Sequence, residues 1–380
     1  MSKYGEFRDS RMTSCVRYSG LVIVLSLAAS GWGPLRFGEA TKPERGVTAA
    51  VHSEAKPRQL LLVKGKAIRP LAVVGPYLTW EQGTSRSALS MLMERALKTG
   101  KTKLLASNAL AQFGLASTAT RVVFAERGRS GPELVAVRHD GGGRLVLTRS
   151  LAAPIAARGD LVAWAEQSGS SQRVVVRHMR TGREWVAAQM SRCPHGRCYR
   201  IDSVTLADRG VVFERGAIGP HPSLIIRRGF GEDRVTTTSV AHDPQPELAA
   251  SSAGALFYWL QHGWFRWDFG QKRPHLVKLP ASHTWVLAYE RGGLLFLGGS
   301  QCKPTLTLKS RHQSLVIRAP TSTPASPKGF GPLCRLMTHF HWQDRRLAVA
   351  WSIIPKVSLR SGADVGLVGT VVVIATPKNA

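Results

Sequence analysis

Short apolar runs centred on an aromatic residue recur along this chain at a nearly regular spacing. Leu78-Thr79-Trp80-Glu81-Gln82-Gly83 is echoed by Val122-Val123-Phe124-Ala125-Glu126-Arg127-Gly128 and by Leu161-Val162-Ala163-Trp164-Ala165-Glu166-Gln167. Val211-Val212-Phe213-Glu214-Arg215-Gly216 follows, and Leu256-Phe257-Tyr258, Leu294-Leu295-Phe296 and Leu347-Ala348-Val349-Ala350-Trp351 continue the series with weaker flanks. The interval is roughly 40 to 55 residues, a period that marks repeat architectures. Because the repeating segments are of β type, each repeat is expected to supply one four-stranded blade. The pattern therefore predicts an all-β fold, a seven-bladed β-propeller; six or eight blades are the less favoured counts.

The third repeat shows the expected order within a blade. Ile155-Ala156-Ala157 reads as the inner strand, Leu161 to Ala165 as the second and Arg173-Val174-Val175-Val176-Arg177-His178 as the third. Thr181-Gly182 then makes a hairpin turn into Arg183-Glu184-Trp185-Val186, the outer strand. The second and fourth repeats copy this with Glu133 to His139 before Gly141-Gly142-Gly143, and with Ser223 to Arg228. Gln59-Leu60-Leu61-Leu62-Val63 precedes the first repeat, while little chain follows Thr370-Val371-Val372-Val373-Ile374 in the last. The N-terminal strand is thus expected to complete the last blade, closing the ring and removing an exposed sheet edge.

The repeats assign residues 41–380 to one propeller domain and leave residues 1–40 outside it. Arg17 precedes the apolar Leu21-Val22-Ile23-Val24-Leu25-Ser26-Leu27-Ala28-Ala29, which small residues follow. That is the pattern of a secretory signal, with an uncleaved membrane anchor as the rival reading. No later run approaches the roughly 20 apolar residues that span a bilayer. The chain is accordingly expected to be exported to the periplasm, the cell envelope or the extracellular space. Cysteine usage agrees: apart from Cys15, the chain holds Cys193, Cys198, Cys302 and Cys334, an even set that reads as Cys193–Cys198 and Cys302–Cys334 disulfides. A metal or redox site built on Cys193, His195 and Cys198 is the alternative, but zinc sites pair such a motif with a second ligand pair, and none stands out.

The third repeat, with Ile155 to Trp164, Val174 to His178 and Thr181-Gly182, resembles the blade of TolB-like and WD-repeat-like bacterial propellers. The resemblance implies architecture over most of residues 70 to 375. Members of that family mostly bind proteins or peptides at a face of the ring, and no catalytic residue carries over. Where the family reads Ser-Pro-Asp-Gly before the second strand, this chain has Ala157-Arg158-Gly159-Asp160 and Ala207-Asp208-Arg209-Gly210.

Charge changes the picture further. The sequence has 52 Lys plus Arg against 24 Asp plus Glu, a formal +28. A field of that size attracts anionic polymers, acidic proteins and acidic membrane surfaces; specific nucleic-acid recognition is not expected. Third strands end in Arg138-His139, Arg177-His178 and Arg227-Arg228, which propeller geometry would gather as a basic arc on one face. Glu81, Glu126, Glu166 and Glu214 would form a carboxylate arc on the other. Enzyme signals are weak. No phosphate loop, nucleophile elbow or zinc-protease helix motif occurs, and His339 and His341 with Asp344 make a poor metal site. No cofactor or metal is expected. The reading is an exported, monomeric, strongly basic propeller that binds or scaffolds a protein or anionic polymer. The alternative is a propeller hydrolase or lyase acting on an extracellular polymer.

Overall fold

The computed structural model describes residues 68–83, 89–196, 198–218, 222–240, 247–259, 262–279, 283–290, 293–300, 302–310, 314–318, 333–343, 346–355 and 368–375. The segment expected to be a signal or anchor, the strand expected at Gln59–Val63, and Asp344 lie outside these residues. The strands form consecutive antiparallel meanders. The first unit comprises β1 (Ile68–Val74), β2 (Tyr77–Gly83), β3 (Ser90–Ala96) and β4 (Thr102–Ala109). The second comprises β5 (Leu115–Ser117), β6 (Arg121–Arg127), β7 (Pro132–Arg138) and β8 (Leu145–Thr148). The third holds β9 (Ala156–Arg158), β10 (Leu161–Ser168), β11 (Ser171–His178) and β12 (Glu184–Ser191), and the fourth holds β13 (Cys198–Ala207), β14 (Gly210–Ile218), β15 (Ser223–Gly229) and β16 (Thr236–Val240). The fifth has β17 (Glu247–Ser251), β18 (Gly254–Trp259), β19 (Gly263–Asp268) and the short β20 (His275–Leu276). The sixth has β21 (His283–Glu290), β22 (Gly293–Ser300), β23 (Lys303–Lys309) and β24 (Ser314–Arg318). A seventh group, β25 (Leu333–Gln343), β26 (Arg346–Pro355) and β27 (Val368–Ala375), is three-stranded among the described residues.

The local chemistry explains the meander. Two-residue turns join strands whose ends pair directly, Arg158 with Leu161 and Ser168 with Ser171. These turns place Gly159 and Gly169 at φ of 58°, a conformation that glycine adopts without Cβ strain and that matches the twist of a hairpin. Neighbouring units touch mainly through side chains. Among the described residues the strand pairing between units is slight: Ala109 with Glu126, and a short parallel pairing of Ala250 with Ala288 and Ser251 with Tyr289.

The recurrent aromatics sit between units. Trp80, Phe124, Trp164, Phe213, Phe257, Phe296 and Trp351 are all buried at equivalent second-strand positions. Phe124 packs with Ala72 and Leu92 of the unit before it, Trp164 with Val123 and Leu134, and Phe213 with Val174 and Val176. The same holds for Phe257 with Val212 and Ile225, Phe296 with Leu256 and Trp264, and Trp351 with Leu295 and Leu306. Trp80 packs with Ala348 and Ala350 of the seventh group. Phe257, not Tyr258, is therefore the fifth member; Tyr258 packs on the other side of its sheet, near Trp264 and Trp285. Inner strands also touch in sequence, β1 with β5, β5 with β9, β9 with β13, β13 with β17, β17 with β21 and β21 with β25, and β25 touches β1.

Candidate functional site

Successive strands of each unit run antiparallel, so the turns fall on two sides. First-to-second and third-to-fourth turns share one side; second-to-third turns and the connections between units share the other.

The basic arc lies on the first side, and the fold uses its members internally. His139 is buried: its Nδ1 lies 2.5 Å from the Glu94 carboxylate, its Nε2 is 2.9 Å from the Thr118 carbonyl, and its ring stacks on Tyr77 at 4.1 Å. Lys103 also reaches Glu94, at 3.3 Å. Arg227 is buried as well, donating to the carbonyls of Asp268 and Gln271 with its guanidinium 4.3 Å over the Trp267 ring. Desolvation lowers its pKa, an effect that Glu232 and Asp268 oppose. Arg228 donates to the carbonyls of Glu232 and Ala187 at 3.0 and 2.7 Å. Arg138 pairs with Asp140 at 3.2 Å, Arg177 with Glu184 at 3.0 Å, and His178 accepts weakly from the Thr181 amide. The arc therefore consists of exposed or part-exposed Arg138, Arg177, His178 and Arg228, with His139 and Arg227 serving the interfaces between units.

The four glutamates expected to form an exposed carboxylate arc are instead buried. Glu81 and Glu214 directly follow their aromatic and so face the opposite side of the sheet, whereas Glu126 and Glu166 lie two residues on and share the aromatic's side. Each has its own partner: Glu81 accepts from Ser90 Oγ at 2.7 Å, Glu214 from Ser203 Oγ at 3.0 Å, Glu126 pairs with Arg144, and Glu166 pairs with Arg173 and accepts from Trp164 Nε1 at 3.0 Å. Burial pushes the Glu81 pKa up to about 8 against the opposing Ser90 hydrogen bond, and its Oε1 has no hydrogen-bond partner among the described residues.

Sequence reasoning missed an ion cluster at the ends of inner strands. Arg158, ending β9 of the third unit, donates through both terminal nitrogens to Glu290, ending β21 of the sixth, at 2.9 and 2.8 Å, and also pairs with Asp208. Burial alone would lower the Arg158 pKa; hydrogen bonds and charge from Glu290 and Asp208 hold it above its ordinary value. The Asp208 amide donates to the Ser252 carbonyl and the Ser252 amide to that of Tyr289, tying the inner-strand ends of units four to six together. Arg158 and Glu290 stand 132 residues apart, so no local pattern could reveal the pair.

The second side carries a cavity of about 440 Å³ lined by Pro194, His195, Tyr199 and Arg215. It sits where the connection from β12 enters β13. Cys193 and Cys198 are at disulfide distance, with Cα atoms 4.0 Å apart, and close the small loop that carries His195 at φ 50°. Tyr199 is buried and its amide donates to the Arg192 carbonyl. Arg215 lies with its guanidinium 4.5 Å over the Tyr199 ring and donates one bond to the Ser191 carbonyl at 2.6 Å. Desolvation lowers its pKa, with Tyr199 opposing. The sequence flagged His195 but not Tyr199 or Arg215; their only signal was adjacency to Cys198 and Glu214. Cys302 and Cys334, Cα atoms 4.4 Å apart, form the second pair at disulfide distance and connect units six and seven. His341 Nδ1 accepts from the Val73 amide at 3.2 Å. Among the described residues no group of three or more His, Cys, Asp or Glu is arranged to hold a metal ion.

No known protein family matches the sequence, and no curated relative does. Solved structures do match in fold. The propeller domain of the trilobed protease from Pyrococcus furiosus aligns with a TM-score of 0.51 at 9% identity, over 76% of this chain and 94% of that one. An oligogalacturonate lyase from Vibrio parahaemolyticus aligns with a TM-score of 0.52 at 10% identity, over 86% of this chain and 96% of that one. A prolyl endopeptidase aligns with a TM-score of 0.51 at 11% identity over 78% of this chain, which spans only 48% of the peptidase. The chain is similar to all three as an all-β propeller built of four-stranded sheets.

Proposed function

We propose that this chain is an exported, seven-bladed propeller that binds an anionic ligand at the cell envelope. The observation that carries the reading is the formal charge of +28 on a fold whose neighbours share only architecture. A long-range field of that sign concentrates anionic polymers and acidic protein surfaces near the molecule. Exposed Arg138 and part-exposed Arg177 and Arg228 are positioned to extend contact on the side of the basic arc, since guanidinium forks match carboxylate and phosphate oxygens. Closure into a seven-membered ring is supported by the packing of Trp80 against Ala348 and Ala350 and by the contact of β25 with β1. The TolB-like blade pattern and the two cysteine pairs at disulfide distance fit an exported binding module.

The test is binding of the full chain to a fluorescent polygalacturonate and to a neutral dextran across a salt series. The reading expects polyanion-selective binding whose affinity falls steeply with salt; equal binding of both polymers, or a flat salt dependence, overturns it. A second reading, a polymer lyase or hydrolase, is favoured by the likeness to the oligogalacturonate lyase. Appearance of unsaturated or shortened product in the same polygalacturonate incubation would support it over binding alone.

A further inference from the structure

We propose that the cavity lined by Pro194, His195, Tyr199 and Arg215 is a carboxylate-binding site, with the Cys193–Cys198 loop as its wall. The proposal rests on the anion-binding reading above and adds to it a pocket on the side opposite the basic arc.

Arg215 carries the recognition. One donor of its guanidinium is taken up by the Ser191 carbonyl, and the plane is held over the Tyr199 ring at 4.5 Å. Those two contacts fix the orientation of the fork without neutralising its charge. No acidic side chain is paired with Arg215 among the described residues, unlike Arg138, Arg144, Arg158, Arg173, Arg177, Arg180, Arg200 and Arg266. A part-desolvated guanidinium that faces a cavity and lacks a counter-ion attracts an anion strongly, because the field is less screened there than in open water. Two donors in one plane suit the two oxygens of a carboxylate better than a point cation would.

The walls are built to stay in place. Tyr199 is buried and anchored through its amide to the Arg192 carbonyl, and the Arg192 amide in turn donates to the Ser170 carbonyl. Across the mouth, exposed His195 sits at φ 50°, a left-handed conformation that non-glycine residues adopt sparingly. The five-residue separation of Cys193 and Cys198 holds it there. Such preorganisation lowers the ordering cost of binding. The cavity volume, about 440 Å³, lies in the range that takes a small ligand. The shared chemistry is a carboxylate on a small polar body, from a sugar acid or an amino acid.

The experiment is calorimetric titration of the full-length oxidised protein with galacturonate, glutamate, glucose and sulfate. Binding of galacturonate or glutamate, but not of glucose, is expected, and whichever binds identifies the source. Arg215→Gln should weaken that binding roughly tenfold to a hundredfold, the range for losing a charge-assisted hydrogen bond, with the thermal midpoint nearly unchanged. Arg215→Lys should restore only part of it, because the fork is lost. Cys193→Ser with Cys198→Ser should also weaken it, by loosening the wall. If Arg215→Gln fails to fold, His195→Gly serves instead, since glycine accepts the same backbone angle while removing the imidazole from the mouth. Sulfate binding as tightly as the carboxylates, or carboxylate binding unaffected by these variants, overturns the proposal. Salt-dependent polygalacturonate binding that survives Arg215→Gln, with no small carboxylate bound, would sink this site while leaving the anion-binding reading intact.

Discussion

Replacing Trp80 with alanine tests whether the first and last units pack as any other neighbours do. Trp80 is buried among Ile68, Leu71, Val73 and Leu78 of its own unit and Ala348 and Ala350 of the seventh group. A buried tryptophan hides about 150–250 Å², and at about 25 cal/mol per Å² that area stabilises by ~4–6 kcal/mol. Alanine keeps a little of that surface, and the two small alanines opposite cannot close the void, so the expected loss is about 3–5 kcal/mol. Trp164, equally enclosed between the second and third units by Val123, Leu134 and Val175, supplies the internal standard. Urea unfolding followed by circular dichroism should give Trp80→Ala and Trp164→Ala similar drops in midpoint at constant slope. A cost for Trp80→Ala below about 1.5 kcal/mol, with Trp164→Ala in the range expected for a core tryptophan, would mean that Trp80 faces water and that the ring is open there.

Other predictions follow from the buried ionic groups and the cysteines. Arg158→Met should destabilise by about 3–5 kcal/mol by leaving Glu290 buried without its partner, and Arg158→Met with Glu290→Leu should recover most of that loss; no coupling in the double-mutant cycle would refute the pair. Glu81 titrates in the fold near 8 rather than 4.5, so the folded state holds its proton more tightly than the unfolded chain. Its contribution is full below pH about 4.5 and is lost as pH rises toward about 8, at no more than about 1.4 kcal/mol per pH unit. Glu81→Gln should remove that slope, seen by comparing melting at both pH extremes; an unchanged slope would reject it. Opening the 32-residue Cys302–Cys334 loop by serine substitution should cost about 3–4 kcal/mol through unfolded-chain entropy, and a change under about 1 kcal/mol would exclude the bond. Changing Arg138, Arg177 and Arg228 to Gln should flatten the salt dependence of polygalacturonate binding without lowering the thermal midpoint much; an unchanged slope would show that the charge acts diffusely.

The aromatic repeat was legible because each gap between sheets needs one large side chain, and that need recurs in register whatever the flanking sequence. Phe257 and Tyr258 were indistinguishable since adjacent strand positions face opposite sheets and both residues are aromatic. The same alternation misled the reading of the glutamates: a carboxylate one residue after the aromatic and another two residues after look alike in a sequence but point to opposite sides. His139 and Arg227 looked like surface charge at strand ends; burial against Glu94, Tyr77 and Trp267 depends on neighbouring units, which no local pattern encodes. Arg158 with Glu290 is hidden for the same reason. Arg215 reads in the sequence as one of many arginines, and only the tertiary approach of Tyr199 and the cysteine loop distinguishes it.

The amide of Val73 reports most directly on the proposed closure of the units into a seven-membered ring. It donates to His341 Nδ1 from the inner strand of the first unit to that of the last, a hydrogen bond that exists only if those two strands lie side by side. Hydrogen exchange resolved to single residues in the full chain should find this amide as protected as those in the interior pairings of β10 and β11, and His341→Ala should release it selectively. Exchange of Val73 at the rate of an unstructured peptide, with β10 and β11 still protected, would contradict the closed ring.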